Sequence, residues 1–126
     1  MPKKKILVVD DETELVQAVQ IRLEQADYEV LAAYDGEEGF QKVKQYRPDL
    51  IILDILMPHM GGDSMAAALK EDEGSRNIPI IFLTCLAGGS TGKHKGTLKG
   101  GNRFLSKPFD HEELLSMVKA LLKSRC

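Results

Sequence analysis

Five polar side chains that could do chemistry stand at or just beyond the ends of short apolar runs in this 126-residue chain. They are three carboxylates, one hydroxyl and one ammonium: Asp10, Asp11, Asp54, Thr84 and Lys107. Carboxylates within a few ångströms repel one another, and a divalent cation keeps them ionised. Ligands that are all oxygen favour Mg²⁺, which retains waters and a phosphate oxygen. Because lysine and hydroxyl groups suit the other phosphate oxygens, the set predicts a site for Mg²⁺ and a phosphoryl group.

The elements that must position these residues follow from hydrophobic patterning. Apolar runs predict five strands, at 6–9, 29–33, 50–53, 79–83 and 103–105. Segments with apolar residues at helical spacing lie between them, the first beginning at Thr13. Strands that alternate with helices indicate right-handed βαβ units, a parallel sheet and helices on both of its faces. Ligands bind outside the carboxyl ends of such strands, so the five polar residues are expected to meet at one edge.

Helix boundaries are marked by acidic residues. Asp35 with Glu38, and Asp110 with Glu113, have the spacing of capping boxes and predict the starts of the second helix and the final helix. Asp63 is expected to cap the third helix.

The segment between the fourth and fifth strands is rich in glycine. Its six glycines are Gly88, Gly89, Gly92, Gly96, Gly100 and Gly101. Each glycine inside a helix costs about 0.5–1 kcal/mol relative to alanine. We therefore expect a fourth helix there to be short or disordered.

The length and composition of the chain exclude some classes of function. The length suits a single domain, 1–126, with its core at about 6–122. With 17 Lys and Arg against 19 Asp and Glu, the net charge of −2 provides no basic surface for direct binding to nucleic acid. No apolar stretch approaches the ~20 residues of a membrane span. The two cysteines, Cys85 and Cys126, form no disulfide framework, so a cytoplasmic protein with no membrane partner is expected.

The chain resembles the receiver domain of two-component response regulators over nearly its full length, from Ile6 to about Leu122. The matching features are Asp10-Asp11, Asp54 followed by Met57-Pro58 and Gly61, Thr84, and the run Phe104-Leu105-Ser106-Lys107-Pro108-Phe109. The resemblance implies an α/β, flavodoxin-like, doubly wound sheet of five parallel strands in the order 2-1-3-4-5. It also implies a single receiver domain that accepts a phosphoryl group from a sensor histidine kinase or a histidine phosphotransfer protein.

The resemblance implies roles for the acidic residues. Asp54 would be the phosphoacceptor, forming an acyl phosphate in a reaction that depends on Mg²⁺. Asp11 and Asp54 would ligate the ion directly, with the backbone carbonyl of Leu56 as a third protein ligand. Asp10 would act at the metal or through its waters.

The resemblance also implies how the phosphoryl group is held and sensed. Thr84 and Lys107 would bind its oxygens, and Phe104 would be a switch aromatic that turns inward as Thr84 moves. The bond between Lys107 and Pro108 would be cis. The domain would catalyse only its own phosphorylation and dephosphorylation, and would signal to a protein partner through a face made of helix 4, strand 5 and helix 5.

Two other functions match part of the sequence. The stretch from Ala87 to His94 nearly fits the nucleotide-binding loop G-x-x-x-x-G-K-[ST]. However, Ala87 replaces the first glycine and His94 replaces the hydroxyl residue. A phosphatase with an aspartate nucleophile would carry a second aspartate two positions after Asp54, where this chain has Leu56.

Overall fold

The computed structural model describes residues 3–55, 62–84, 96–97 and 103–123. The elements in chain order are β1 (Lys5–Val9), α1 (Thr13–Gln25), β2 (Glu29–Ala33), α2 (Gly36–Tyr46), β3 (Leu50–Asp54), α3 (Gly62–Glu71), β4 (Ile80–Thr84), β5 (Gly96–Thr97), β6 (Arg103–Ser106) and α4 (His111–Lys123). The five strands expected from the apolar runs are all present, each within one residue of its predicted bounds. Among the described residues, no helix combines the length and the apolar character needed to cross a membrane.

The strands form one sheet in the order β2-β1-β3-β4-β6-β5. The first five are parallel, and since β6 is the fifth of the expected strands, the predicted order 2-1-3-4-5 is confirmed. The two-residue β5 is an addition that was not predicted, and it pairs antiparallel with β6 through Gly96 and Thr97. A fragment this short carries no periodic signal. The rest of the segment expected to hold a weak fourth helix lies outside the described residues.

Side chains of each central strand alternate between two hydrophobic cores, one on each face of the sheet. In β1, Ile6 and Val8 join a core built with α1 and α4, whereas Leu7 and Val9 join one built with α2 and α3. All four side chains are fully buried. This period of two explains why the strands read as continuous apolar runs, since neither face meets water.

The capping box predicted at the start of α2 is confirmed. The Asp35 carboxylate accepts a hydrogen bond from the backbone N–H of Glu38 at 2.8 Å. The Glu38 carboxylate in turn accepts from the backbone N–H of Tyr34 at 2.9 Å, one residue before the cap. The helix therefore begins where the spacing of these two acidic residues indicated.

The two later helices differ in how well their starts were predicted. Asp110 caps α4, because its carboxylate accepts from the backbone N–H of Glu112 at 3.0 Å. The prediction that Asp63 caps α3 is wrong, because that helix already begins at Gly62. Asp63 is the second residue of that helix.

A glycine allows α2 to approach the sheet closely. Gly39 is buried, and a Cβ atom added to it would lie 3.0 Å from both Met65 Cε and Val9 Cγ2. Its missing side chain thus lets α2 pack against both α3 and the strand that leads to Asp10.

Candidate functional site

Backbone hydrogen bonds hold the strand ends of the candidate site together. Asp10 follows β1, and its N–H donates to the carbonyl of Ala33 at the end of β2 at 3.1 Å. Asp54 is the last residue of β3. On the other side, the N–H of Lys107 donates to the carbonyl of Thr84 at 2.8 Å. The residues that the sequence placed after separate apolar runs therefore share one edge of the sheet.

The three aspartates form a compact acidic cluster. One carboxylate oxygen from each of Asp10, Asp11 and Asp54 lies within 4.8 Å of the others. Asp10 and Asp54 are buried, whereas Asp11 is exposed. Two of these carboxylates are thus held at the edge of the sheet and one is open to solvent. This arrangement suits Mg²⁺, which usually retains several water ligands. The oxygen-only donor set fits the same ion.

Lys107 is the cationic member of the site. Its Nζ atom lies 2.8 Å from Asp10 Oδ2 and 3.3 Å from Asp54 Oδ2, and its side chain is only 10% exposed. A third carboxylate also reaches it, because Glu12 Oε1 lies 2.6 Å from the same nitrogen. The sequence reasoning did not include Glu12 in the site. The signal was available, since Glu12 completes the acidic run Asp10-Asp11-Glu12 directly after β1.

The charges of the site are strongly coupled. Burial raises the pKa of Asp10, although the hydrogen bonds from Lys107 and from the Glu12 N–H oppose the rise. Burial alone would lower the pKa of Lys107, but the carboxylates of Asp10 and Glu12 and the charge of Asp54 outweigh it and raise that pKa well above its ordinary value. Lys107 therefore stays protonated. The four carboxylates around this one ammonium leave the site with an excess of negative charge, which a divalent cation would offset.

Thr84 and Phe104 lie on the neighbouring strands β4 and β6. Thr84 ends β4, is buried and pairs in register with Ser106. The centroid of the Phe104 ring lies 5.3 Å from that of Phe82, and Phe104 packs against the core on the α2 and α3 side. This contact is ordinary aromatic packing. The switch role of Phe104 stays a prediction.

Two predicted features of the site remain, the Lys107–Pro108 peptide bond and the backbone carbonyl of Leu56. The Lys107–Pro108 peptide bond is cis, the geometry that the resemblance implied. Leu56 lies outside the described residues, so its carbonyl stays a predicted ligand.

Together, these elements form a doubly wound α/β sheet whose edge carries an acidic cluster and a lysine ammonium. The sequence model of the response regulator receiver domain matches residues 6–119. The chain belongs to this family, and it is a receiver domain of two-component signalling. Neither the nucleotide-binding loop nor the phosphatase alternative is favoured by these matches.

Relatives of known name agree with this assignment. The chain is 40% identical to the DNA-binding dual master transcriptional regulator RpaA of Synechocystis sp., a match that covers 94% of this chain and 49% of that protein. It is 32% identical to protein PilG of Pseudomonas aeruginosa, covering 95% of this chain and 88% of that protein. The chain thus spans about half the length of several curated relatives, including RpaA.

A solved structure also matches the chain. The response regulator TrrA of Thermotoga maritima, in complex with Mg²⁺-BeF, matches with a TM-score of 0.79 and 32% identity. The match covers 94% of this chain and 99% of that one.

Proposed function

We propose that Asp54 accepts a phosphoryl group in a reaction that depends on Mg²⁺. The observation that carries this proposal is the convergence of three aspartate oxygens within 4.8 Å of one another beside the Lys107 ammonium. Asp54 ends the central strand β3, and its carboxylate is buried in contact with that ammonium. A nucleophile held in this way needs little reorganisation when charge develops on a transferring group.

The chemistry of the step follows from the groups at the edge of the sheet. A carboxylate oxygen of Asp54 attacks the phosphorus of a phosphohistidine, an O–P bond forms and the P–N bond breaks. The electron pair of the broken bond goes to the imidazole nitrogen, which takes up a proton. Lys107 and the Thr84 hydroxyl hold the phosphoryl oxygens during transfer.

The acidic cluster supplies the metal ligands of this proposal. Asp10, Asp11, Asp54 and the backbone carbonyl of Leu56 would hold Mg²⁺, which when bound neutralises charge on the phosphoryl oxygens.

The phosphoryl donor is a sensor histidine kinase or a histidine phosphotransfer protein, and the receiver unit spans 1–126 with its core at about 6–122. The chain catalyses only its own phosphorylation and dephosphorylation. Movement of Thr84 and Phe104 then alters the face of β6 and α4, together with the segment before β6, for a downstream protein partner. The domain acts in the cytoplasm, and it binds neither nucleic acid nor a membrane directly.

Mass spectrometry tests the proposal directly. The protein is incubated with a small phosphodonor and Mg²⁺, and we expect the mass to rise by one phosphoryl group. Asp54→Asn and chelation with EDTA should each abolish the increase. Asp27→Asn is the matched control, because Asp27 is exposed and its positive φ of 76° is one that asparagine adopts readily. A phosphorylated mass in Asp54→Asn would refute the role of Asp54, and phosphorylation that persists in EDTA would refute the role of the metal.

A further inference from the structure

Glu12 occupies the N-cap position of α1 but does not cap the helix. Its backbone is extended, with φ −84° and ψ 100°, and its side chain makes no capping hydrogen bond. An N-cap side chain usually accepts from a backbone N–H two or three residues later. The Glu12 carboxylate instead lies 2.6 Å from Lys107 Nζ, 95 positions away in the sequence. Helix capping therefore does not explain why this carboxylate is held where it is.

The hydrogen-bonding capacity of Lys107 makes this contact consequential. An ammonium group has three N–H donors. Three carboxylates lie within 3.3 Å of it, those of Asp10, Glu12 and Asp54. Glu12 Oε1 and Asp54 Oδ2 accept hydrogen bonds from Nζ, and Asp10 Oδ2 lies 2.8 Å away as an ion pair. A phosphoryl oxygen that approaches Lys107 therefore competes with these carboxylates for the ammonium.

The burial of the three carboxylates decides which one gives way. The side chains of Asp10 and Asp54 are 0% and 4% exposed, whereas that of Glu12 is 59% exposed. Asp54 carries the phosphoryl group after transfer, so the carboxylates that still compete for the ammonium are those of Asp10 and Glu12. Leaving the ammonium would strand the buried Asp10 carboxylate without its ion-pair partner, which is costly. Glu12 can turn into water instead, where its carboxylate is fully hydrated.

We propose that Glu12 is a positioning residue that competes with the phosphoryl group for the Lys107 ammonium and so slows the phosphorylation of Asp54. This inference rests on the proposed function of the site. Exposed ion pairs contribute little free energy, so removing the competitor should accelerate phosphorylation by about 1.5- to 5-fold. Glu12 thereby sets how readily the site responds to its donor without taking part in the chemistry.

The test measures the rate of phosphorylation by phosphoramidate at saturating Mg²⁺, which removes any effect of the variants on metal affinity. Glu12→Gln should react about 1.5- to 5-fold faster than the wild type. Glu14→Gln is the matched control, because Glu14 is an exposed glutamate in the first turn of the same helix. Its rate should equal that of the wild type.

A double-mutant cycle separates competition from simple charge repulsion. In a Lys107→Met background, Glu12→Gln should no longer change the rate, because Glu12 acts through the ammonium. An acceleration that persists in this background means that the Glu12 charge merely repels the donor, and it overturns the proposal. A Glu12→Gln rate at or below that of the wild type also overturns it.

Carbon NMR provides a second readout on the unmodified sequence. At constant Mg²⁺, the side-chain carboxylate resonance of Glu12 should shift on phosphorylation, while that of Glu14 should not. An unchanged Glu12 resonance would overturn the competition. If the wild-type protein takes up no phosphoryl group at all, the proposed function of Asp54 fails instead, so the two failures are distinguishable.

Discussion

Replacing Lys107 by methionine is expected to destabilise the metal-free protein by about 3 kcal/mol. Methionine keeps most of the length of the side chain, so the change isolates the loss of the charge. The ammonium is 10% exposed and pairs with Asp10 and Asp54, whose side chains are 0% and 4% exposed. Breaking a buried ion pair from one side costs about 3–5 kcal/mol. The lower end applies because burial already raises the pKa of Asp10, and this carboxyl can take up a proton when its partner is lost.

Magnesium should reverse part of that loss. A cation that binds the native state stabilises it by about 2.7 kcal/mol when its concentration is 100 times its Kd. In the wild type, Lys107 shares Asp10 and Asp54 with any bound cation, and the two positive charges repel. Lys107→Met removes this repulsion. The increase in unfolding free energy on adding Mg²⁺ should therefore be larger in the variant than in the wild type.

Urea unfolding in EDTA and in excess Mg²⁺ measures both quantities. Far-UV circular dichroism is the suitable probe, because the chain has no tryptophan. Lys3→Met is the matched control, since Lys3 pairs with Asp27 through side chains that are 55% and 84% exposed. That loss should stay below about 1 kcal/mol. The reasoning is refuted if Lys107→Met in EDTA costs no more than Lys3→Met, or if Mg²⁺ stabilises the variant and the wild type equally.

Two further predictions separate metal binding from packing. Asp11→Asn should weaken Mg²⁺ binding, measured by calorimetry, at least about tenfold. Because Asp11 is exposed, the unfolding free energy of the variant in EDTA should stay within about 0.5 kcal/mol of the wild type. An unchanged affinity for Mg²⁺ would show that Asp11 is not a ligand. Gly39→Ala should lower the unfolding free energy by about 1 kcal/mol, because the new methyl meets Val9 and Met65 at 3.0 Å and the overpacking cost exceeds the gain in helix propensity. A stabilised Gly39→Ala protein would show that Met65 moves aside freely.

Sequence patterns predicted the long parallel strands well because their burial on both faces leaves an unbroken apolar signal, as in 50–53. They predicted the convergence of Asp10, Asp54 and Lys107 because strand ends of a parallel sheet must meet at one edge. Glu12 continues the acidic run after β1, but its ion pair with Lys107 was missed because the two residues are 95 positions apart and no local pattern marks such a pairing. The two-residue β5 was missed because its pairing depends on β6 rather than on its own residues.

The burial of β1 and β3 on both faces also affects how the register of these strands is determined. If the register of β1 shifted by one residue, Ile6 and Val8 would move to the core that now holds Leu7 and Val9, and the reverse. Because both cores are apolar, the hydrophobic effect alone gives this shift only a small free-energy cost. The strong penalty comes from Asp10, since a shift that draws it further between the strands would bury a carboxylate away from Lys107. The residues of the site thus also act as stops that fix the strands in register. Substitutions of these residues should therefore be checked for a shift in strand register as well as for loss of phosphorylation.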